Sequence, residues 1–189
     1  MTRAYLGLGA NIGNRRANLR LALRWLEGAG RVVGVSSLYR SAAVVAEGEP
    51  PGPDFLNAAC AVETELDAAG LLRAVKAIER AIGRRPAARW APRPIDIDIL
   101  LFGEEIIDTA ELQAPHPLLA TRNFVVLPLA EIAGEVPHPV LGRTIGELAE
   151  DADFAGLEHL EEPGWEARET AESESQDEEQ ASDVGRTAR

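Results

Sequence analysis

The sequence predicts an α+β sandwich in which strands and helices alternate as β-α-β-β-α-β. Two stretches, residues 15–26 and 67–82, repeat apolar residues at helical spacing. Four others, residues 4–9, 31–39, 55–65 and 95–102, are short, apolar or alternating, and bounded by glycine, asparagine or proline. At 189 residues with 46% hydrophobic content, one core is the expectation.

Ala4-Tyr5-Leu6-Gly7-Leu8-Gly9 reads as a buried strand, and the asparagines and glycine of residues 10–14 as a turn. In the next helix, Leu19, Leu23 and Leu26 share a face with Ala22 and Trp25. Asn14 is its candidate N-cap, and Gly28 and Gly30 are its stops. The glycines before it lack the G-x-G-x-x-G spacing and the later acidic residue of a dinucleotide-binding unit, which excludes that fold. A valine-rich strand spans 31–39. Residues 41–54 hold three prolines and two glycines and predict a long flexible loop, a length that usually serves as a lid or is disordered. The strand at 55–65 puts Asn57, Ala59, Ala61 and Glu63 on one face and Leu56, Ala58, Cys60 and Val62 on the other. Asn57, polar and directly after the loop, is either a turn hydrogen bond or a ligand contact. The helix over 67–82 carries Leu71, Leu72, Val75 and Ile78 on its stripe, with Asp67 as N-cap and Glu79 beside the stripe.

Residues 84–94 hold four arginines, Trp90 and three prolines. The prolines forbid a helix. The strand after them puts Ile95, Ile97 and Ile99 on one face and Asp96 and Asp98 on the other, side by side at roughly 6.5–7 Å along the chain. Like charges so placed repel unless a cation or water separates them. Alone, such a pair is more often the wet face of an amphipathic strand. Beside an arginine loop, whose guanidiniums fork onto phosphate, it outlines a metal–nucleotide site. After Phe102, Gly103-Glu104-Glu105 predicts a tight turn into Ile106-Ile107 and a small hairpin. His116, pinned between Pro115 and Pro117 and outside any apolar stripe, reads as functional. Arg122-Asn123-Phe124 precedes an apolar run from Val125 to Ala130, residues 137–142 are turn-rich, and residues 144–148 form a last short helix. The element order is that of a ferredoxin-like βαββαβ sandwich: a four-stranded antiparallel sheet with two helices on one face, plus a C-terminal extension.

The net charge of −12 is concentrated at the end: residues 151–189 hold thirteen acids against three arginines, leaving the first 150 at −2. No broad basic surface for nucleic acid is therefore expected. No apolar run is long enough to span a membrane, and the N-terminus reads as too short for a signal-peptide core. The single cysteine, Cys60, excludes an internal disulfide and suits a reducing cytoplasm. The expected division is a catalytic domain at residues 1–155 and an acidic, disordered tail at 156–189, too poor in apolar residues to offset chain entropy.

R-W-A-P-R-P-I-D-I-D-I-L at 89–100 resembles the signature of the 6-hydroxymethyl-7,8-dihydropterin pyrophosphokinases of folate biosynthesis. F-L-N-A-A at 55–59 and P-H-P-L-L-x-x-R-x-F at 115–124 match in the same order, and the resemblance runs from about Tyr5 to Leu148. It implies Mg²⁺-dependent transfer of pyrophosphate from ATP to the hydroxymethyl group of the pterin, releasing AMP. By position, Asp96 and Asp98 would hold two Mg²⁺ ions. Asn57 would read the pterin edge, and Phe55 and Phe124 would sandwich its ring. Arg84 and Arg93 would meet the phosphates, as would His116 and Arg122. Glu79 would position nucleotide or loop, and Trp90 would seal the closed loop. The chain departs from the family at Ala10, where serine is usual, at Phe55, often tyrosine, and at Pro86, often basic. Arg85 or Arg89 is the candidate substitute for that last residue. The partners implied are ATP and the pterin, with no nucleic acid or membrane, and the expected state is a monomer. An RNA-recognition module of the same fold is disfavoured, because Asp96 and Asp98 would stand where bases stack and would repel phosphate. A third reading, a non-catalytic interaction protein working through the acidic tail, is disfavoured, because such a segment is more often an uncommitted solvated tail.

Overall fold

The structure, a computed structural model, describes residues 1–43, 52–87 and 91–167. Trp90, Arg89, most of the expected lid and the end of the expected tail lie outside the described residues. The elements are β1 (Thr2–Ala10), α1 (Arg15–Leu26), β2 (Arg31–Val35), β3 (Leu38–Ser41), β4 (Phe55–Thr64), α2 (Ala68–Ile82), β5 (Asp96–Phe102), β6 (Ile107–Asp108), β7 (Gln113–Ala114), α3 (Asn123–Ala133), α4 (Ile145–Glu150) and β8 (Leu157–Glu161). The α+β class is as the sequence predicts, the two N-caps it names are built as expected, and Thr144 caps the last short helix. Asn14 Oδ1 accepts from the Ala17 N–H at 3.0 Å, Asp67 Oδ1 from the Gly70 N–H at 2.6 Å, and Thr144 Oγ1 from the Glu147 N–H at 3.2 Å.

The sheet has six strands rather than four, in the order β5-β1-β4-β3-β8, with β2 also paired to β4. Two features account for the difference. The single strand expected over 31–39 breaks at Ser36-Ser37, where side chains intervene in the backbone ladder: Ser36 Oγ accepts from the Ala59 N–H at 2.8 Å, and Glu131 Oε2 accepts from the Ser37 N–H at 2.7 Å. The other addition is β8, which pairs antiparallel with β3. The hairpin expected after Phe102 also differs, since β6 pairs with β7 and not with the Asp strand.

Each sheet face has its own core. On one, Leu6, Leu8, Ala58, Cys60, Ile97 and Ile99 pack against Leu19, Leu23 and Leu26 of α1 and Leu71, Val75 and Ile78 of α2. Burial pushes the Cys60 thiol up to about 12, so it is inert packing. On the other, Tyr5, Ala59, Ala61 and Leu101 meet Val126, Leu129 and Ala133 of α3 and Leu148 of α4. The apolar run at 125–130 is thus the body of a helix, with Pro128 inside it.

The expected boundary at 155/156 does not match the structure. β8 lies beyond it, and Trp165 is fully buried in the α1–α2 core. The Trp165 Nε1–H donates to the Ser36 carbonyl at 2.9 Å, and Arg20 Nη2 donates to the Trp165 carbonyl at 2.7 Å. One indole with a satisfied polar end anchors an otherwise acidic segment. Trp165→Ala is expected to cost about 3–5 kcal/mol in urea-induced unfolding; a loss under ~1 kcal/mol would show that the segment is not part of the cooperative core.

Candidate active site

Strand register assembles the floor of the site. Gly9 pairs with Asn57 of β4 on one side and Asp96 of β5 on the other, and Gly7 pairs with Ala59 and Asp98. Residues directly opposite in antiparallel strands share a face. Ile97 and Ile99 face α1 and α2, so the two aspartates face the opposite side, as the alternation predicts. A cavity of about 290 Å³ opens there, with Gly7 and Gly9 in its floor and Phe55, Asn57 and Phe124 in its walls. A Cβ on Gly9 would stand 3.4 Å from the Phe55 ring and 3.7 Å from Asn57 Oδ1, so any longer side chain would occupy the cavity. Asn57 Nδ2 donates to Ser41 Oγ at 2.9 Å. That bond fixes the amide while leaving Oδ1 and a second N–H for a ligand. Arg122 stacks its guanidinium 5.6 Å from the Phe124 ring centre.

The charged wall is built on Glu79, which is 2% exposed. Its Oε1 accepts from the Ile97 N–H at 2.8 Å, between the two aspartates, and also from Arg84. Lys76 Nζ lies 2.9 Å from Oε2. Arg84 reaches on to Asp96, and Arg93 Nη1 donates to Asp96 Oδ2 at 2.7 Å. Burial works against the Arg84 charge, but Asp96 and Glu79 outweigh it and raise the guanidinium pKa further. The base of the arginine loop is clamped by the first turn: Arg93 N–H donates to Asn11 Oδ1 at 2.7 Å, and Asn18 Nδ2 donates to the Pro94 carbonyl at 3.0 Å. Asp98 makes no ion pair among the described residues. Burial, then the Asp96 charge, push its carboxyl up to about 6.

A second cavity, of about 530 Å³, lies beyond Asp98 between α2, β5 and the 109–118 segment. His116 lines it. The His116 N–H donates to the Leu100 carbonyl at 2.9 Å, holding the loop to β5, and its Nδ1 accepts from the Leu118 N–H at 3.2 Å. Burial, and then Arg122, lower its pKa. The neutral ring therefore carries its proton on Nε2. Among the described residues, Lys76 and Asp98 line both cavities.

The sequence-predicted residues are thus distributed over two chambers with a common wall. Asn57, Phe55, Phe124, Arg84, Arg93, Arg122, Asp96 and Asp98 line the first, and His116 the second. Glu79, expected to position nucleotide or loop, lies beneath the wall and lines neither chamber; its side chain meets the Ile97 N–H, Arg84 and Lys76. Arg85 is exposed and lines neither cavity. Sequence reasoning missed Lys76, Ser41 and Asn11. Only Lys76 had a signal to follow, as the one lysine of the chain.

The two carboxylates are hard oxygen donors suited to Mg²⁺. No group of three or more His, Cys, Asp or Glu side chains converges among the described residues, so phosphate oxygens and water would have to complete such a site. No helix among the described residues is long and apolar enough to cross a membrane.

Comparison with known proteins identifies the family that the chain resembles. Residues 5–134 match the family model described as 7,8-dihydro-6-hydroxymethylpterin-pyrophosphokinase (HPPK). The 2-amino-4-hydroxy-6-hydroxymethyldihydropteridine pyrophosphokinase of Methylorubrum extorquens is 42% identical over 85% of this chain and 100% of its own length. The Aquifex aeolicus and Bacillus subtilis proteins of the same name are 39% identical over 78% of this chain and 91% of theirs, and 43% identical over 70% and 79%. In fold, the chain is similar to a Plasmodium falciparum HPPK-DHPS triple mutant crystallised with SDX-DHP, at TM-score 0.64 and 20% identity, covering 79% of this chain and 44% of that one.

The raised Asp98 carboxyl makes a prediction with a definite sign. The folded chain holds that proton more tightly than the unfolded chain does, so the Asp98 charge costs stability above about pH 6 and nothing well below pH 4. Asp98→Asn is expected to raise the Tm of the metal-free protein by a few degrees at about pH 7.5 and to leave it unchanged near pH 3. Equal shifts at both pH values in thermal unfolding would rule out an electrostatic origin.

Proposed function

Because the chain belongs to the 7,8-dihydro-6-hydroxymethylpterin-pyrophosphokinase family, we propose that it transfers pyrophosphate from ATP to 6-hydroxymethyl-7,8-dihydropterin, with Mg²⁺, in folate biosynthesis. The observation that carries this is the common wall: a pair of aspartates, one of them paired with two guanidiniums, with an aromatic, amide-bearing chamber on one side and a second chamber on the other.

The pterin takes the first chamber. Phe55 and Phe124 flank its flat ring, and Asn57, held by Ser41, offers an acceptor and a donor to its edge. The nucleoside takes the second chamber, and the triphosphate crosses the wall towards Arg84, Arg93 and Arg122. The His116 Nε2–H adds a neutral donor on the nucleoside side. The substrate's own hydroxyl oxygen bonds to the β-phosphorus, the bond from that phosphorus to the α–β bridging oxygen breaks, and AMP leaves with the electron pair. Such transfers depend on positioning and charge neutralisation more than on covalent help from the protein. Two Mg²⁺ ions at Asp96 and Asp98 would neutralise the phosphates and orient the hydroxyl. Arg84 and Arg93 serve Asp96 in the absence of nucleotide, and the triphosphate offers the same guanidiniums stronger bidentate partners.

In this reading β1, β4, β5 and the divided β2–β3 strand, with α1 and α2, are the ferredoxin-like unit. The catalytic domain runs on through Trp165, and the chain works as a cytoplasmic monomer with small-molecule partners only.

Incubation with ATP, Mg²⁺ and the hydroxymethyl dihydropterin is expected to yield AMP and the pterin diphosphate, resolved by chromatography. No AMP from folded protein would end the proposal. Asp98→Ala should lower turnover by at least ~100-fold with the fold retained. Gly9→Val provides an independent check on the first chamber. It should abolish pterin binding in calorimetry while ATP binding and Tm hold, and unimpaired pterin affinity would place the ring elsewhere.

A further inference from the structure

Of the nineteen Lys and Arg residues of the chain, one is lysine: Lys76, on α2. Its place is as unusual as its type. It shares with Asp98 the wall between the chambers, and it is the one Lys or Arg among the described residues that lines the second. Arg84, Arg93 and Arg122 all line the first chamber only. Its ammonium lies 2.9 Å from Glu79 Oε2 and its side chain is 41% exposed. An ammonium has three N–H donors, so two remain after Glu79 is served.

The role open to Lys76 rests on the proposed placement of the nucleoside in the second chamber and the pterin in the first. A triphosphate running between them meets the common wall at its nucleoside-proximal end, which is the α-phosphate. The cations then divide by chamber, with three guanidiniums on the side of the group that moves and one ammonium on the side of the group that leaves. When the pterin hydroxyl oxygen bonds to the β-phosphorus, the bond from that phosphorus to the bridging oxygen breaks. The electron pair stays on the α-phosphate, and AMP gains one negative charge as the hydroxyl proton passes to solvent. Lys76 is the one Lys or Arg that lines this side among the described residues, so the ammonium is the permanent charge of the protein that can meet this change. A compact ammonium on a flexible stem suits an oxygen whose charge and position both change, whereas a guanidinium suits the static fork of a held phosphate.

We propose that Lys76 grips the α-phosphate of the nucleotide at the common wall and stabilises the charge that develops on departing AMP, a catalytic contact for which Glu79 is the positioning partner.

The test compares AMP with adenosine, which differ only in the group that Lys76 is assigned to hold. Calorimetry on Lys76→Met should show AMP binding weakened by about tenfold and adenosine binding unchanged. Turnover should fall by ~100-fold with the pterin KM unaltered, and Lys76→Arg should recover part of the AMP affinity. Since the chain has a single lysine, trinitrobenzenesulfonate followed by mass spectrometry reads Lys76 apart from the terminal amine. AMP should slow that labelling in the wild type and adenosine should not. Equal weakening of AMP and adenosine, or no weakening of either, would overturn the assignment, as would labelling indifferent to AMP. Lack of turnover in the wild type with the AMP–adenosine difference intact would refute the proposed reaction while leaving the phosphate contact standing.

Discussion

A carboxylate that is 2% exposed must be fully partnered or it will unfold its surroundings, and Glu79 is such a group. Its needs fix the centre of the molecule. One oxygen takes the Ile97 N–H, which docks α2 on β5 at the residue between the two aspartates and so sets their position relative to the helix. It also takes Arg84. The chain reaches that contact because Gly83 adopts φ of 111°, a left-handed C-cap that reverses the backbone and lets the Arg84 N–H return to the Glu79 carbonyl at 2.9 Å. The other oxygen takes Lys76. Helix, strand, arginine loop and lysine are thus registered to one another through a single buried side chain.

The resulting charge pattern is uneven. Asp96 is doubly paired, to Arg84 and Arg93, while Asp98 has no ion pair among the described residues and sits at the junction of the chambers. One carboxylate is therefore stabilised before any ligand arrives, and the other carries a charge that burial and its neighbour make unfavourable. A fold keeps such a group at a cost to stability, a cost that a bound cation would relieve. The structurally quiet acid and the strained acid stand two residues apart on one strand, which local propensity could not distinguish but tertiary context does.

Much of this was legible in the sequence because the signals were local. Alternation put Asp96 and Asp98 on one face. Proline density kept the arginine segment out of helix and isolated His116, and Asn14 and Asp67 each began the helix they cap. What escaped was tertiary. The 31–39 strand looked continuous because nothing local reveals that Glu131, some ninety residues away, takes the Ser37 N–H. The sequence assigns no element to the apolar run at 125–130, which is a helix whose Pro128 merely leaves out one bond of an otherwise regular ladder. β8 and Trp165 were hidden by the acidic composition around them: a window average dilutes one indole that fills the core. Asn11 and Ser41 gained their roles only from strands meeting across the sheet.

The two-chamber arrangement also bears on which phosphorus is attacked. A triphosphate offers three, and chemistry alone does not choose the middle one. On the proposed reading the choice is made by position. Arg84, Arg93 and Arg122 gather charge on the pterin side of the wall, which draws the β- and γ-phosphates through together, while the lone ammonium retains the α-phosphate with the nucleoside. The bond lying across the wall is then the one between the α–β bridging oxygen and the β-phosphorus. The Gly7–Gly9 floor keeps the space in front of that phosphorus free of side chains, so a hydroxymethyl group on a ring held by Asn57 and the two phenylalanines can approach it. On that reading, pyrophosphate rather than phosphate would be transferred because the wall falls between the first and second phosphates, with its place set by the Glu79 carboxylate beneath.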